Sequence, residues 1–276
     1  MRHSHVEIAQ RVLYSLEAYL RAVGPQALRL YADEEGYWQE LNESGWKHIR
    51  QKLLTRTGCV IRLSDASTNG EDLYQFMYYG RPLDAQSLEE EPEGSCTMSF
   101  WLPTEYLEEH GPGRVRELAL ELAAPLPFCS GHAGLSFIGE MSVSGVRPPV
   151  RELCFRHPGL DIPDIGMLSW TLGTKVRGAY WLTFLGQPVL GELGGAPGLR
   201  ARLSSPGSTV QELEGERVVV TLGKAPEAGD TEQGHILPAY RELARVLEPW
   251  FYTRPPIRSI DFPPESVRRW ERRFLD

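Results

Sequence analysis

The chain has 276 residues, 41% of them apolar, which is enough to bury a sizeable core, and no run approaches the ~18–20 apolar residues of a membrane span. Its net charge of −8 argues against direct nucleic-acid binding, because phosphate contacts need a basic footprint, and is compatible with a basic partner. Met1-Arg2-His3-Ser4-His5 leads into an amphipathic helix and not an apolar signal core, so the expectation is a soluble, cytoplasmic protein with no membrane association.

Taken in order, residues 6–24 put Ala9, Val12, Leu13, Leu16, Tyr19, Leu20 and Val23 on one helical face, stopped by Gly24-Pro25. Leu28 to Tyr31 reads as a short extended piece, followed by an acidic loop at Asp33, Glu34 and Glu35. A helix around Ser44 to Leu54 should turn Trp46, Ile49, Leu53 and Leu54 inward. Strands follow at Cys59–Leu63, Leu73–Tyr79 and Cys96–Leu102, with an exposed loop at 87–93. Helix 112–124 buries Val115, Leu118, Ala119 and Leu122, and Leu135–Ile138 returns as a strand.

In the second half, 148–172 is helical but broken at Pro158-Gly159 and Pro163. Tyr180–Leu185 is a strand or buried apolar segment, and Gly194-Gly195-Ala196-Pro197-Gly198 a turn before a short helix. Val210–Leu213 and Arg217–Leu222 form a hairpin around Glu214-Gly215. Ile236, Tyr240, Leu243, Ala244 and Leu247 stripe a helix that Pro238 opens and Pro249 ends. Ile257–Phe262 is a short strand. In the last helix Val267, Trp270 and Phe274 face inward, and Arg268, Arg269, Arg272 and Arg273 face out.

These elements give an α+β fold, an antiparallel or mixed sheet flanked by helices, in one continuous domain over residues 1–276. Val115-Arg116-Glu117-Leu118-Ala119 echoes Tyr240-Arg241-Glu242-Leu243-Ala244, which raises two similar α/β lobes within that unit, about 1–145 and 146–276. Coincidence explains the echo more simply, since these are common helix residues.

Strong catalytic signatures are missing: there is no phosphate-cradling Gly-Lys loop, dinucleotide glycine motif, His-Glu-x-x-His or nucleophile elbow. Cys129 with His132 and Cys154 with His157 form two Cys-x-x-His units that would suffice for a tetrahedral zinc site. Small buried thiols beside two loop histidines explain them more simply, as reduced buried thiols explain Cys59 and Cys96. Asp161 and Asp164 near His157 suit general acid–base work, but caps and turns account for them. The expectation is no catalytic residue, no metal and no cofactor. A hydrolase built on His132 or His157 is the competing reading, and an adaptor for effector loading a third.

The acidic stretches are more informative. Residues 84–109 hold eight carboxylates, Glu89, Glu90 and Glu91 among them, and no Lys or Arg. Asp33, Glu34, Glu35, Glu40 and Glu43 form a second cluster that includes Tyr37 and Trp38. Carboxylates steer a basic partner and exposed aromatics anchor it. Asp33, Glu34, Glu35, Tyr37, Trp38, Glu40, Glu89, Glu90 and Glu91 are therefore the candidate partner-binding residues; a solvated acidic loop with no binding role is the alternative for both stretches, and the simpler one for 84–93.

The closing stretch carries a resemblance. Gly229-Asp230, then Leu237-Pro238-Ala239-Tyr240-Arg241, then Arg269-Trp270-Glu271-Arg272-Arg273-Phe274 are similar to the type VI secretion immunity family of TsiV type. Trp101-Leu102-Pro103-Thr104-Glu105, Gly131-His132-Ala133-Gly134, His157-Pro158-Gly159-Leu160-Asp161 and Leu190-Gly191-Glu192-Leu193-Gly194-Gly195 fit in the same order. The residues after Asp230 depart from the Asn- and Arg-containing form of many members. The resemblance implies a non-catalytic antitoxin that occludes its own bacterium's effector, a VRR-Nuc type nuclease among the partners described for the family.

Overall fold

The computed structural model describes residues 1–65, 73–138, 146–162, 164–255 and 262–276. They fall into two compact units, one of residues 1–127 and 164–173, the other of residues 128–163 and 174–276.

In the first unit α1 (His5–Val23) starts where Ser4 donates its backbone N–H to the Glu7 carboxylate at 2.7 Å, and buries Ile8, Val12, Leu16 and Tyr19. Two short strands, β1 (Leu30–Ala32) and β2 (Trp38–Glu40), form a hairpin ahead of α2 (Glu43–Thr55). Leu53 is buried in α2 as expected, but Leu54, one residue and about 100° further round, is 42% exposed. Then come β3 (Cys59–Ser64), β4 (Gln75–Gly80), α3 (Ala85–Glu90) and β5 (Thr97–Trp101). The stretch expected as a loop at 87–93 thus begins within a short helix, because the Asp84 carboxylate accepts the Ser87 N–H at 2.8 Å and caps it.

α4 (Thr104–Ala123) starts earlier than the expected 112–124 and is kinked at Gly111, φ 75°, where Pro112 removes a backbone donor. α1 packs against α4 and α2, with the Ser15 hydroxyl donating to Leu122 O at 2.9 Å. The sheet order is β2-β1-β3-β4-β5, antiparallel throughout. Ile61, Leu63, Phe76 and Tyr78 sit on its buried face, and Tyr19 of α1 meets Phe100 at 5.2 Å between ring centroids. α6 (Ile165–Thr171) completes this unit beside β4 and β5.

The second unit holds β6 (Ser130–Ala133), α5 (Arg147–Arg156), β7 (Leu182–Leu185), α7 (Val189–Glu192) and α8 (Gly195–Arg200). β8 (Ser208–Leu213), β9 (Arg217–Leu222), α9 (Pro238–Leu247) and α10 (Pro264–Glu271) complete it. Its sheet runs β6-β7-β9-β8, again antiparallel. β7 and Val218–Leu222 of β9 are buried without alternation, as strands covered on both faces are.

The break at Pro158-Gly159 and the β8–β9 hairpin follow the sequence reading, whereas the turn expected over 194–198 is confined to Gly194 and α8 already starts at Gly195. The strand expected at Leu135–Ile138 does not form. The strand lies earlier, at β6, and Ser136 makes only an isolated bridge to Asp161. The expected strand Ile257–Phe262 lies, apart from Phe262, outside the described residues.

α9 opens on Pro238 at its first position, which supplies the right φ and lacks an N–H that would go unpaired there. Its buried stripe is Leu237, Tyr240, Leu243, Ala244 and Leu247. Ile236, assigned to that stripe from spacing, precedes the left-handed Leu237 and is 52% exposed. Leu243→Ala should therefore cost about 2–5 kcal/mol, and Ile236→Ala no more than about 0.5 kcal/mol. Urea unfolding of both variants measures the difference.

Candidate functional site

The hairpin β1–β2 is shaped by one carboxylate. Asp33 Oδ1 accepts the backbone N–H of Tyr37 at 2.8 Å and of Glu35 at 3.2 Å, and Oδ2 accepts from Gln39 Nε2 at 2.7 Å. Gly36, at φ 88°, supplies the left-handed residue that the turn requires. The Gln39 amide, then the backbone N–H groups, hold the Asp33 carboxyl below its ordinary range. Asp33 thus organises the turn, and Glu34 pairs with the buried Lys52 ammonium at 3.1 Å.

What the hairpin presents outward is aromatic and acidic. Tyr37 is 71% exposed, Trp38 42%, and Glu35 and Glu40 are also exposed. Cross-strand register puts Trp38 and Glu40 on the same sheet face as Val60 and Arg62, and the Arg62 guanidinium lies 5.5 Å from the Trp38 ring centroid. Val60 and Arg62 escaped the sequence reading. Their alternation with Cys59, Ile61 and Leu63 was the signal that they face outward. A cleft of about 590 Å³ runs beneath the turn, lined by Asp33, Glu34, Glu35, Lys52, Arg56 and Val60 among others. Burial pushes the Cys59 thiol on its wall up to about 12, which keeps it protonated at neutral pH.

The second acidic group lies on α3 and just after it. Glu89 and Glu90 are exposed, whereas Glu91 pairs with Arg81 at 2.8 Å, and the Arg81 guanidinium lies 3.1 Å from the Trp170 ring centroid. Register places the two acidic segments at the same end of the sheet. The β1–β2 turn follows Ala32, at the end of the sheet where β3 starts at Cys59, and Cys59 pairs with Gly80, from which the chain runs on to α3.

In the second unit the residues considered for chemistry meet differently from the sequence expectation. Asp161 faces His132, Nε2 to Oδ2 3.2 Å, and not His157. Its other oxygen accepts the Tyr180 hydroxyl at 2.8 Å and lies 3.6 Å from the Arg177 guanidinium. The His132 ring stacks on Tyr180, with centroids 3.8 Å apart. Burial works to raise the Asp161 pKa, but Arg177 and His132 outweigh it and hold the carboxyl well below its ordinary value. Asp164 caps α6 by accepting Met167 N–H at 3.2 Å, the simple reading of that residue.

His157 Nδ1 lies 2.7 Å from Gly229 O, Cys129 and Cys154 are buried free thiols, and no group of three or more potential metal ligands occurs among the described residues. Arg273, expected on the outer face of the last helix, is buried: Nε donates to Pro158 O at 2.6 Å and the guanidinium lies over the Trp270 ring at 4.0 Å. Pairing and aromatic cover offset its desolvation, which periodicity alone does not register.

The family model for type VI immunity for VRR-NUC matches residues 11–274. The structure is similar to that of the Pseudomonas aeruginosa T6SS protein PA0821, with TM-score 0.80 and 19% identity, over 97% of this chain and 79% of that one. At that identity the likeness is one of fold. No curated protein matches the sequence.

Asp161→Asn removes the anion that the buried Arg177 and Tyr180 face, and should destabilise the protein at pH 7 by about 3–5 kcal/mol. A depressed folded-state pKa contributes stability that is present above the unfolded value of 3.8 and is lost as pH falls towards the folded one. The wild type should therefore lose stability below about pH 4 more steeply than Asp161→Asn. Thermal unfolding across pH 2–7 compares the two profiles.

Proposed function

This chain belongs to the TsiV family, type VI immunity for VRR-NUC, and is an immunity protein; we propose that it neutralises a VRR-Nuc effector by covering its active or substrate-binding surface, without chemistry of its own. No helix among the described residues is long and apolar enough to cross a membrane. The cytoplasm, where a nuclease meets its DNA, is the compartment in which this protection is proposed to operate.

The exposed hairpin carries the reading: Tyr37 and Trp38 stand out from the sheet between Glu35 and Glu40. A nuclease that grips phosphates presents cations around its active site. A carboxylate surface steers such a partner into encounter, and aromatic anchors then slow its release. Glu89 and Glu90, at the same end of the sheet, extend that surface. The net charge of −8 supports a partner other than nucleic acid itself. The interface proposed is of standard size, ~800 Å² per partner.

The test is co-expression with the cognate effector in a sensitive bacterium. Glu35→Lys with Glu40→Lys should abolish protection, slow association and leave the melting temperature unchanged. Trp38→Ala should weaken binding by about 2 kcal/mol, roughly thirtyfold, as a central anchor does. Full protection by both variants would move the interface off this hairpin. Failure of the wild-type chain to protect or to bind would remove the occlusion mechanism.

A further inference from the structure

Resting on that immunity reading, we infer that the outer edge of β2 receives an extended, basic segment of the effector as an added antiparallel or parallel strand. β2 ends the five-stranded sheet, and all three of its residues are exposed.

Its hydrogen-bond phase can be read from the flanking bonds. Asp33 N–H donates to Tyr37 O at 2.9 Å and Leu41 N–H to Arg29 O at 2.6 Å. Antiparallel ladders alternate bonded and non-bonded pairs, so Tyr31–Gln39 is the bonded pair of the register and Ala32–Trp38 and Leu30–Glu40 are not. The backbone N–H and C=O of Trp38 and Glu40 therefore point away from β1. The Glu40 carbonyl is closed off, since a Cβ on Gly45 of α2 would lie 3.0 Å from it. The Trp38 N–H, Trp38 C=O and Glu40 N–H are left as a three-group docking edge, with no hydrogen-bond partner among the described residues.

Exposed edges are blunted by short length, charged side chains, proline or a bulge, and β2, three residues long, is short and carries Glu40. β2 has neither lysine nor proline, and its register with β1 runs without a bulge. Charge identifies the occupant. Between Arg29 and Lys47 there are five carboxylates and no Lys or Arg. Asp33 is engaged in the turn and Glu34 with Lys52, while Glu35, Glu40 and Glu43 have no ion pair among the described residues. An incoming strand with lysine or arginine at alternate positions pairs its main chain with the edge and its cations with these acids. The effector supplies such a segment; a second copy of this chain, acidic on the same edge, is repelled.

Alternate proline substitutions isolate the main-chain contribution, because proline on an edge strand deletes only the N–H it replaces. Affinity for the cognate effector is measured for Glu40→Pro against Glu40→Ala and Trp38→Pro against Trp38→Ala, each with its melting temperature. The proline variants should bind about tenfold more weakly than their alanine counterparts, one hydrogen bond apiece, with melting temperatures matching them. Gln39→Pro deletes an N–H given to β1 and should melt below Gln39→Ala, which already lacks the side-chain bond to Asp33. Equal affinity of each proline and alanine pair, with wild-type binding intact, overturns edge pairing and leaves the immunity reading standing. A wild-type chain that neither binds nor protects overturns both. Self-association lost in Glu40→Pro would assign the edge to a second copy and overturn the effector as occupant.

Discussion

Asp161 is 7% exposed and held ionised, and the second unit is arranged around that constraint. A carboxylate taken out of water costs several kcal/mol unless its oxygens are paired. Tyr180 and Arg177 pair them from one segment of the chain and His132 from another. The same residue's backbone stitches to the stretch just after His132: its N–H donates to Leu135 O, and its C=O accepts from Phe137 N–H, each at 2.9 Å. Four residues upstream, His157 holds Gly229, and Gly159 N–H donates to Ala228 O at 2.8 Å. A Cβ on Gly159 would come within 1.9 Å of Glu227 O, so only glycine fits there. Pro158 O accepts from Arg273, near the far end of the sequence.

Part of the family resemblance falls on that hub. His132, the 157–161 segment, Gly229-Asp230 and the closing Trp270 and Arg273 are scattered along the chain yet converge on one buried network. Further bonds staple the same unit, whereas the Trp101–Glu105 motif belongs to the first unit. Asp230 pairs with Arg156 at 2.9 Å, and Glu242 of α9 accepts from Ser204 and Ser205 N–H, both at 2.9 Å. Those bonds draw the Glu242 carboxyl down to about 2. The motifs that identify the family therefore hold the fold, and the residues proposed to meet the effector lie outside them.

This division shows what could be read from the residues alone. Long periodic elements such as α1 and α9, and the β8–β9 hairpin with its Glu-Gly turn, were legible because many side chains repeat one signal. β2 was not, since three residues cannot display an alternation. The Asp33 to Gly36 turn marks a hairpin only through the return of Trp38 alongside Ala32. Ile236 and Leu54 were misplaced because spacing does not fix where a helix starts or how wide its buried stripe is. Arg273 was misplaced because a charge pattern cannot reveal a carbonyl 115 positions away in sequence that accepts its N–H. For the candidate surface, composition found the acids and aromatics. It could not tell that Asp33, Glu34 and Glu91 have partners inside the protein, whereas Glu35 and Glu40 face solvent.

The Asp33 turn also bears on how a binding surface changes over time. Its three hydrogen bonds fix the backbone before any partner arrives, so little ordering entropy remains to be lost on association. None of Glu35, Tyr37, Trp38 and Glu40 belongs to the buried core. Substitutions at these four positions are thus nearly neutral for folding, while each alters what the hairpin recognises. A lineage facing a drifting effector can rewrite this strip residue by residue on an unchanged frame, and related chains can diverge in partner while sharing one architecture.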